Sequence, residues 1–484
     1  MINVEELTIS AAHEAFQTGR YTCKDLTAAY LERIYKFDKN GPKINSTLIG
    51  PLHGIPVLVK DQADTQGIIT TYSSYVGKDN VPNEDATVIK KLKEAGAIIL
   101  GKTTMSEWAS TWFSYSSATE SFTHNPYKLG HDPSGSSSGT GSAIAANFAL
   151  LGVGEDTGGS IRIPSSFCNL VGLRPTVGLI SRTGFMPLLA AQDTPGPMAR
   201  TVTDCALMLD AMVGFDPRDE YSGAAFRAGP PRGGSYAHGL DPSTIKTARL
   251  GVIRSLFGSS TDPARKAVND VLHHALSTLS AAGTTLIDVE VPDITHYMTF
   301  TPTYISCSRH DINAFLATNP HLPDDLASIV PKAPAHPTFD FTSAIAHSYT
   351  CPEQDPAYLK RVTDRLRFVR VVTCIMATHN LDALVFPDVQ IPAPRHADAT
   401  NGRFEGTWSF PTNTLFASQL RWPAVTVPAG FTEEGPGEFG GLPVGLELVR
   451  WEFEEERLLE LARGVEVLLA ARRAPKLPDV ERKQ

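Results

Sequence analysis

A short glycine-rich turn constrains the fold of this chain more than any other feature of its sequence. Residues 152–164 read GVGEDTGGSIRIP and follow directly on an apolar run at 148–151. Two consecutive glycines let the backbone adopt angles that other residues avoid, and successive N–H groups in such a turn converge on one point. A site that stabilises an oxyanion needs donors of this kind, and Ser160 stands beside them as a nucleophile would. The alternative is a tight turn between two buried elements.

A second segment, at residues 133–143, reads PSGSSSGTGSA. Such Ser/Gly runs are most often flexible linkers. Here no charged residue lies between Pro133 and Asn147, and the run leads into AIAANFAL at 143–150, an apolar segment that favours a helix. These features favour an active-site loop ahead of a buried helix over a linker.

A third segment, at residues 50–61, reads GPLHGIPVLVKD. Its apolar residues at 57–59 predict a buried strand that ends at Lys60. Lysine is rarely buried unless it has a partner or a role, so its place at the end of such a strand is unusual. The alternative is that Lys60 reaches solvent and pairs with Asp61 or Asp64.

Together the three segments resemble the signature of the amidase signature family in their order and in their spacings, 76 residues from Lys60 to Ser136 and 24 from Ser136 to Ser160. The resemblance implies a Ser–Ser–Lys triad in which Lys60 is the base, Ser136 follows a cis peptide bond, and Ser160 is the nucleophile. It implies an oxyanion hole built from the backbone N–H groups of Thr157, Gly158, Gly159 and Ser160. Asp156 and Arg162 flank the nucleophile and are expected to hold its loop by hydrogen bonds and ion pairing, and Ser137 is expected to support the site.

The chemistry that the resemblance implies is hydrolysis of an amide C–N bond to an acid and ammonia or an amine. A serine hydroxyl is a poor nucleophile until an adjacent base takes its proton. Lys60 can be that base only when neutral, and burial lowers a lysine pKa from its ordinary value of about 10.4. Neutral Lys60 would take the proton of Ser160 through Ser136, and water would later release the acid from an acyl-enzyme. This mechanism requires no metal and no organic cofactor.

The implied fold is α/β: one large domain with a central mixed β-sheet covered by helices on both faces. The alternation of helix, glycine and strand between residues 86 and 103 is typical of that class. The domain would span residues 1–484. Its expected parts are N-terminal helices at 1–40, a catalytic core at 50–210, a variable region at 293–380 that shapes the substrate pocket, and a return to the core at 381–475.

The chain departs from the family pattern ahead of Gly50, where relatives usually carry a further helix. A real deletion there could uncover apolar surface, and an error in the translated sequence would look the same. The changes at Ser134, Ser138 and Thr140, where glycine or serine is commoner in the family, alter the loop but leave the triad positions intact.

Composition narrows the expected partners and location. The net charge of −9 argues against general nucleic-acid binding. The sequence contains no run of 18 apolar residues, so no membrane span is predicted. The N-terminus lacks the pattern of a secretory signal, and six scattered cysteines without a C-x-x-C pair are most simply reduced thiols, which together predict a cytoplasmic protein. The histidines at 296–379 show no metal-ligand spacing. We therefore expect a small-molecule amide as the partner, and a homodimer is compatible with the sequence.

Three alternatives stay open at this stage. Residues 135–139 fit the G-x-S-x-G nucleophile elbow with Ser137 as nucleophile, although residues 128–133 do not resemble the buried strand that must precede it. The A-type subunit of the glutamine-dependent amidotransferases shares the triad but passes ammonia to a partner chain. The third alternative is a non-catalytic relative.

Cys168 could be mistaken for a nucleophile, but it is expected to be a buried structural thiol.

Overall fold

A mixed β-sheet of ten strands runs through the described part of the chain, in the order β2-β1-β5-β7-β6-β11-β12-β10-β8-β9, and a small two-stranded sheet pairs β3 with β4. The computed structural model describes residues 2–37, 50–332, 341–400, 404, 409–435 and 438–477. The strands are β1 Pro56–Lys60, β2 Ile98–Thr103, β3 Tyr115–Ser116, β4 Ser121–Phe122, β5 Leu151–Asp156, β6 Val171–Arg174, β7 Thr194–Ala199, β8 Arg249–Ile253, β9 Thr285–Val289, β10 Ala383–Pro387, β11 Ala424–Phe431 and β12 Pro443–Val449.

Helices flank this sheet and connect its strands. In chain order they are α1 Ile9–Gln17, α2 Cys23–Phe37, α3 Thr87–Glu94, α4 Ser138–Ala145, α5 Arg162–Phe167, α6 Val202–Met212, α7 Ala224–Ala228, α8 Pro263–Ala281, α9 Ile294–Thr299, α10 Tyr304–Leu316, α11 Leu326–Ile329, α12 Phe341–Ala346, α13 Tyr358–Thr378, α14 His396–Thr400, α15 Leu415–Leu420 and α16 Glu455–Leu469. The predicted α/β class with one mixed, helix-covered sheet is confirmed. The segment ahead of Gly50 in which a helix is expected to be missing, residues 38–49, lies outside the described residues.

Neighbouring strands pair in parallel at the two ends of the sheet and antiparallel in its middle. Strand β1 pairs in parallel with both β2 and β5, and β8 pairs in parallel with β9 and β10. Between them, β7, β6, β11 and β12 form a run of antiparallel pairs. Parallel strands covered on both faces are apolar along their whole length, and all five residues of β1 are buried. The parallel pairing therefore brings the ends of β1 and β5 together inside the protein.

The closing helix α16 packs on this sheet through a buried apolar face made of Leu458, Leu459, Ala462 and Val465. These residues recur at helical spacing, so that they form one apolar face of the helix. Among the described helices, none is both long enough and apolar enough to cross a membrane.

Candidate active site

Lys60 is the last residue of β1, the second strand from one edge of the sheet, and its side chain is fully buried. Its Nζ lies 2.8 Å from Ser136 Oγ, 3.1 Å from the backbone oxygen of Glu155 and 3.4 Å from Glu155 Oε2. Asp61 and Asp64, the two acids that could have paired with a lysine facing solvent, have other partners. Asp61 accepts a hydrogen bond from the Thr71 N–H, and Asp64 accepts one from the Tyr72 hydroxyl. The interpretation of Lys60 as a surface lysine is therefore wrong.

The Ser/Gly segment is a buried turn, not a linker. The peptide bond between Gly135 and Ser136 is cis, and Ser136, Ser137 and Ser138 are all fully buried. A β-carbon on Gly135 would overlap Ser106 Oγ, so this turn can approach its neighbour only with glycine. Helix α4 spans Ser138–Ala145, so the expectation of a helix over residues 143–150 is wrong at both its start and its end. The small residues of its first turn pack where larger helix formers would not fit.

The loop after β5 carries Ser160, and its path also requires glycine. Gly159 has a φ of 142°, and a β-carbon there would lie 2.6 Å from Thr414 Cβ. A β-carbon on Gly158 would lie 3.0 Å from the Trp112 ring. Thr414 Oγ1 donates to the Gly158 oxygen at 2.6 Å, which holds the turn. The Ser137 N–H donates to the Ser160 oxygen at 3.1 Å, so the two serine-bearing turns are in direct contact.

Asp156 anchors this loop through two buried arginines. Its carboxylate accepts from Arg162 Nη2 at 3.0 Å and from Arg174 Nη1 at 2.9 Å, and it also accepts the Ile161 N–H at 3.1 Å. Arg162 further pairs with Glu447. Burial alone would raise the pKa of Asp156, but the two guanidinium groups lower it below its ordinary value. The acid is therefore a carboxylate that fixes the turn between β5 and α5.

The buried pair of Lys60 and Glu155 behaves differently. Burial lowers the pKa of Lys60, and the nearby Glu155 opposes this shift only in part. Burial also raises the pKa of Glu155, helped by the charge of Asp193 and opposed by that of Lys60. Both directions favour the uncharged form of each side chain. A neutral amine at Lys60 is the form that can accept a proton.

A pocket opens over the Ser160 loop. Its wall includes backbone or side-chain atoms of three of the four residues expected to form the oxyanion hole, Thr157, Gly158 and Ser160, but not Gly159. The rest of the described lining is mostly apolar or aromatic and comprises Ala109, Ser110, Thr111, Trp112, Leu188, Tyr304 and Phe341. Lys60, Ser136 and Ser137 are fully buried and do not line this pocket. Of Ser136, Ser137 and Ser160, only Ser160 lines it.

Other candidate groups do not reach this pocket. Ser137 Oγ bonds the backbone of Glu155, and residues 128–133 form turns instead of the strand that a nucleophile elbow requires. Cys168 is fully buried, and burial raises the pKa of its thiol to about 12. Within the described residues, no group of three or more His, Cys, Asp or Glu side chains could hold a metal ion.

Sequence reasoning missed Glu155, Arg174, Thr414 and Glu447. Only Glu155 had a local signal, because it stands with Asp156 at the end of an otherwise apolar strand. Successive side chains in a strand point to opposite faces, so the two acids meet different partners. The other three residues come from β6, β12 and the turn before α15, where nothing in the sequence marks them as neighbours of Ser160.

Comparisons with known proteins find similarity over nearly the whole chain. The sequence model of the Amidase family matches residues 22–459. The A-type subunit of glutamyl-tRNA(Gln) amidotransferase from Heliobacterium modesticaldum is 32% identical over 452 residues, which cover 89% of this chain and 86% of that protein. The peptide amidase from Stenotrophomonas maltophilia superposes with a TM-score of 0.81 at 29% identity, covering 98% of this chain and 99% of that one.

An amidase family protein from Bacillus anthracis gives a TM-score of 0.79 at 29% identity and covers 98% of this chain and 93% of its own. Its match, like that of the peptide amidase, extends over almost the whole fold described above. The family model alone covers far more than half of the sequence. This chain therefore belongs to the amidase signature family.

Proposed function

We propose that this protein hydrolyses the C–N bond of a linear carboxylic amide through an acyl-enzyme, with Ser160 as nucleophile, Ser136 as proton relay and Lys60 as base. The observation that carries the proposal is the contact of 2.8 Å between Lys60 Nζ and Ser136 Oγ, both fully buried. Burial disfavours the charged form of a lysine, and the nearby Glu155 offsets this only in part, so Lys60 holds its proton weakly. That is the property a base for a serine hydroxyl needs.

The reaction proceeds in two halves. Neutral Lys60 accepts a proton from Ser136 as Ser136 accepts one from Ser160, and Ser160 Oγ attacks the amide carbon. The backbone N–H groups of residues 157–160 stabilise the oxyanion, and Ser136 returns a proton to the leaving nitrogen. Water then attacks the acyl-enzyme by the same route and releases the acid.

The pocket supports an uncharged, apolar group next to the scissile amide. Among the described residues that line it, none has a charged side chain, and Trp112, Leu188 and Phe341 present apolar surface. Tyr304 and Phe341 belong to the region 293–380, which supports our expectation that this region shapes the pocket. A group that buries apolar surface there gains about 25 cal/mol for each Å² removed from water.

The second candidate is the glutaminase half-reaction of an amidotransferase, because the relative from Heliobacterium modesticaldum carries that name. Glutamine carries an ammonium and a carboxylate group on its α-carbon, and burying either without a charged or hydrogen-bonding partner is costly. The uncharged lining therefore favours a free-standing amidase.

The test is product analysis with a panel of primary amides that differ only in the acyl group, from acetamide to an aromatic amide, with free glutamine included. We expect equal amounts of acid and ammonia from apolar amides, formation of hydroxamate when hydroxylamine is added, and neither with the Ser160→Ala variant. Turnover of glutamine alone, or ammonia release that survives Ser160→Ala, would contradict the proposal.

A further inference from the structure

The carboxyl of Glu155 contacts the lysine of the triad directly. Its Oε2 lies 3.4 Å from Lys60 Nζ, and its Oε1 lies 3.3 Å from Thr157 Oγ1. The side chains of Lys60 and Glu155 are 0% and 1% exposed. Lys60 thus has two side-chain neighbours within hydrogen-bonding range, Ser136 on the side of the nucleophile and Glu155 on the other.

Glu155 also lies on the wall of a second cavity of about 280 Å³, separate from the pocket over Ser160. This cavity reaches the surface at Thr318, which is exposed. Gln62 also lines this cavity, and its amide oxygen Oε1 is buried and has no hydrogen-bond partner within the described structure. A cavity of this volume, with Glu155, Asp193 and Asp311 in its wall, has room for several water molecules. Water can therefore reach Glu155 without passing through the substrate pocket.

The charges around Glu155 do not hold it as a carboxylate. On its own strand, Asp156 is already neutralised by two arginines, one of which, Arg174, also faces Glu155. Asp193, in the loop before β7, adds a negative charge. Its carboxylate accepts hydrogen bonds from Thr157 Oγ1 at 2.6 Å and from two backbone N–H groups. Lys60 is the only cation within salt-bridge distance of Glu155 in the described structure.

The other charged residues of the cavity are largely occupied with one another. Arg182 pairs with Asp219 at 2.5 Å, and Arg218 lies 3.5 Å from Asp216. Asp311 accepts from the Ala190 N–H at 2.8 Å and lies 3.0 Å from the ring of His310. The environment of Glu155 is thus buried and on balance acidic, which favours a protonated carboxyl.

We propose that Glu155 is a positioning residue that holds the proton of this pair, so that Lys60 rests beside it as the neutral amine that can act as a base. One N–H bond of the Lys60 ammonium breaks and one O–H bond forms on Glu155, so that an ion pair becomes a neutral amine beside a neutral acid. No charge leaves the pair. The second cavity lets the acid exchange its proton with water. This inference rests on the proposed function of Lys60.

Physical reasoning favours the neutral pair. Two opposite charges in a dry interior each carry a desolvation penalty of several kcal/mol, which their attraction offsets only when hydrogen-bond geometry is excellent. The separation of 3.4 Å is long for a charge-assisted hydrogen bond, which is ordinarily about 2.7–2.9 Å. Transfer of the proton removes both charges at once and leaves Lys60 ready to accept from Ser136.

The test compares the wild type with Glu155→Gln, since glutamine has the shape and charge of a protonated glutamate. The measured quantity is the rate of Ser160 labelling by a fluorophosphonate as a function of pH. We expect labelling at neutral pH to stay within about threefold of the wild type, while the ionisation that belongs to Glu155 disappears from the pH profile. Glu455→Gln, which removes another buried glutamate that accepts from the Thr176 N–H, should leave the profile unchanged.

Three results would overturn the inference. If Glu155 were a carboxylate that kept a proton on Lys60, its removal would lower the pKa of Lys60 by about 1–3 units and speed labelling at neutral pH tenfold or more. If the carboxylate itself were required, Glu155→Gln would fold but fail to label. Glu155→Asp, which keeps an acid but draws it back by one methylene, should retain the ionisation in the pH profile. Loss of that ionisation from this variant would also contradict the proposal.

An infrared difference spectrum tests the protonation state without any reliance on activity. The spectrum of the wild type minus that of Glu155→Gln at neutral pH should contain the carbonyl band of a protonated carboxylic acid. A carboxylate band in its place would overturn the inference even if the triad is active. Conversely, labelling that survives both Lys60→Ala and Ser160→Ala would contradict the proposed function, while the infrared band still decides the state of Glu155.

Discussion

Replacing Asp156 by asparagine tests whether the turn that carries Ser160 depends on a buried charge. The Asp156 carboxylate accepts four hydrogen bonds, from the Ile161 N–H, from Arg162 Nε and Nη2, and from Arg174 Nη1, at distances of 2.9–3.1 Å. All the side-chain groups involved are fully buried. The substitution therefore removes a charge without removing volume and leaves two guanidinium groups facing an amide.

The magnitude follows from what each arginine retains. Arg162 keeps Glu447 and two further acceptors, whereas Arg174 is left with backbone oxygens alone. Removal of one partner from a buried ion pair typically costs about 3–5 kcal/mol, and we expect a loss of unfolding free energy in that range. The compensation at Arg162 places the loss toward the lower end.

The pH dependence has a definite sign. Because the folded-state pKa of Asp156 is lowered, its stabilisation is present above the unfolded value of 3.8 and is lost only as the pH falls through the folded value. The difference between the wild type and Asp156→Asn should therefore be constant from about pH 5 to pH 8.

The assay is urea unfolding followed by circular dichroism, at several pH values, with labelling of Ser160 measured in parallel. Asp270→Asn, which breaks only the exposed pair between Lys266 and Asp270, is the matched control and should leave the midpoint unchanged. A loss below about 1 kcal/mol for Asp156→Asn would refute the reasoning, since it would mean that the buried carboxylate contributes no more than a surface pair.

The same region of the molecule gives three further predictions. Gly159→Ala should lower both the melting temperature and the labelling rate, because its φ of 142° and the nearness of Thr414 exclude a β-carbon; Gly101→Ala, which meets no atom within 4 Å, is the control and should do neither. Burial raises the pKa of Asp132 from 3.8 to about 7, so its stabilisation is lost as the pH rises through about 7. Asp132→Asn should therefore remove up to about 1.4 kcal/mol per pH unit from the slope of unfolding free energy between those values, and an unchanged slope would contradict this. Trp112→Ala should raise kcat/KM for amides with bulkier acyl groups relative to small ones, because the ring lines the pocket; an unchanged ratio would place the acyl group elsewhere.

The sequence predicts the elements of the site better than its contacts. The apolar run at 57–59 predicts a buried strand ending at Lys60, and β1 does end there, with Lys60 as the one charged residue of a buried parallel strand that is otherwise apolar. The start of α4 could not be predicted, since glycine and serine are poor helix formers in isolation. A β-carbon on Gly139 would lie 2.6 Å from the backbone oxygen of Thr104, so close packing overrides propensity there.

Contacts between distant segments were beyond sequence reasoning. Arg162 meets Glu447, 285 positions further along the chain, because α5 packs against β12 in the assembled sheet. No local pattern encodes that pairing. For Glu155 the sequence does give a local signal, because Glu155 and Asp156 stand side by side at the end of an apolar strand. Which face each would occupy depended on the register of β5 against β1, which only the structure provides.

The measurement that tests the central claim most directly is the site of covalent labelling. The protein is treated with a serine-directed fluorophosphonate, and the modified residue is identified by mass spectrometry in the wild type, Lys60→Ala and Ser137→Ala. We predict modification of Ser160, retained in Ser137→Ala and slowed by about 10²- to 10⁴-fold in Lys60→Ala, as loss of a general base requires. Modification of Ser137, or equal labelling of Ser160 without Lys60, would contradict the account.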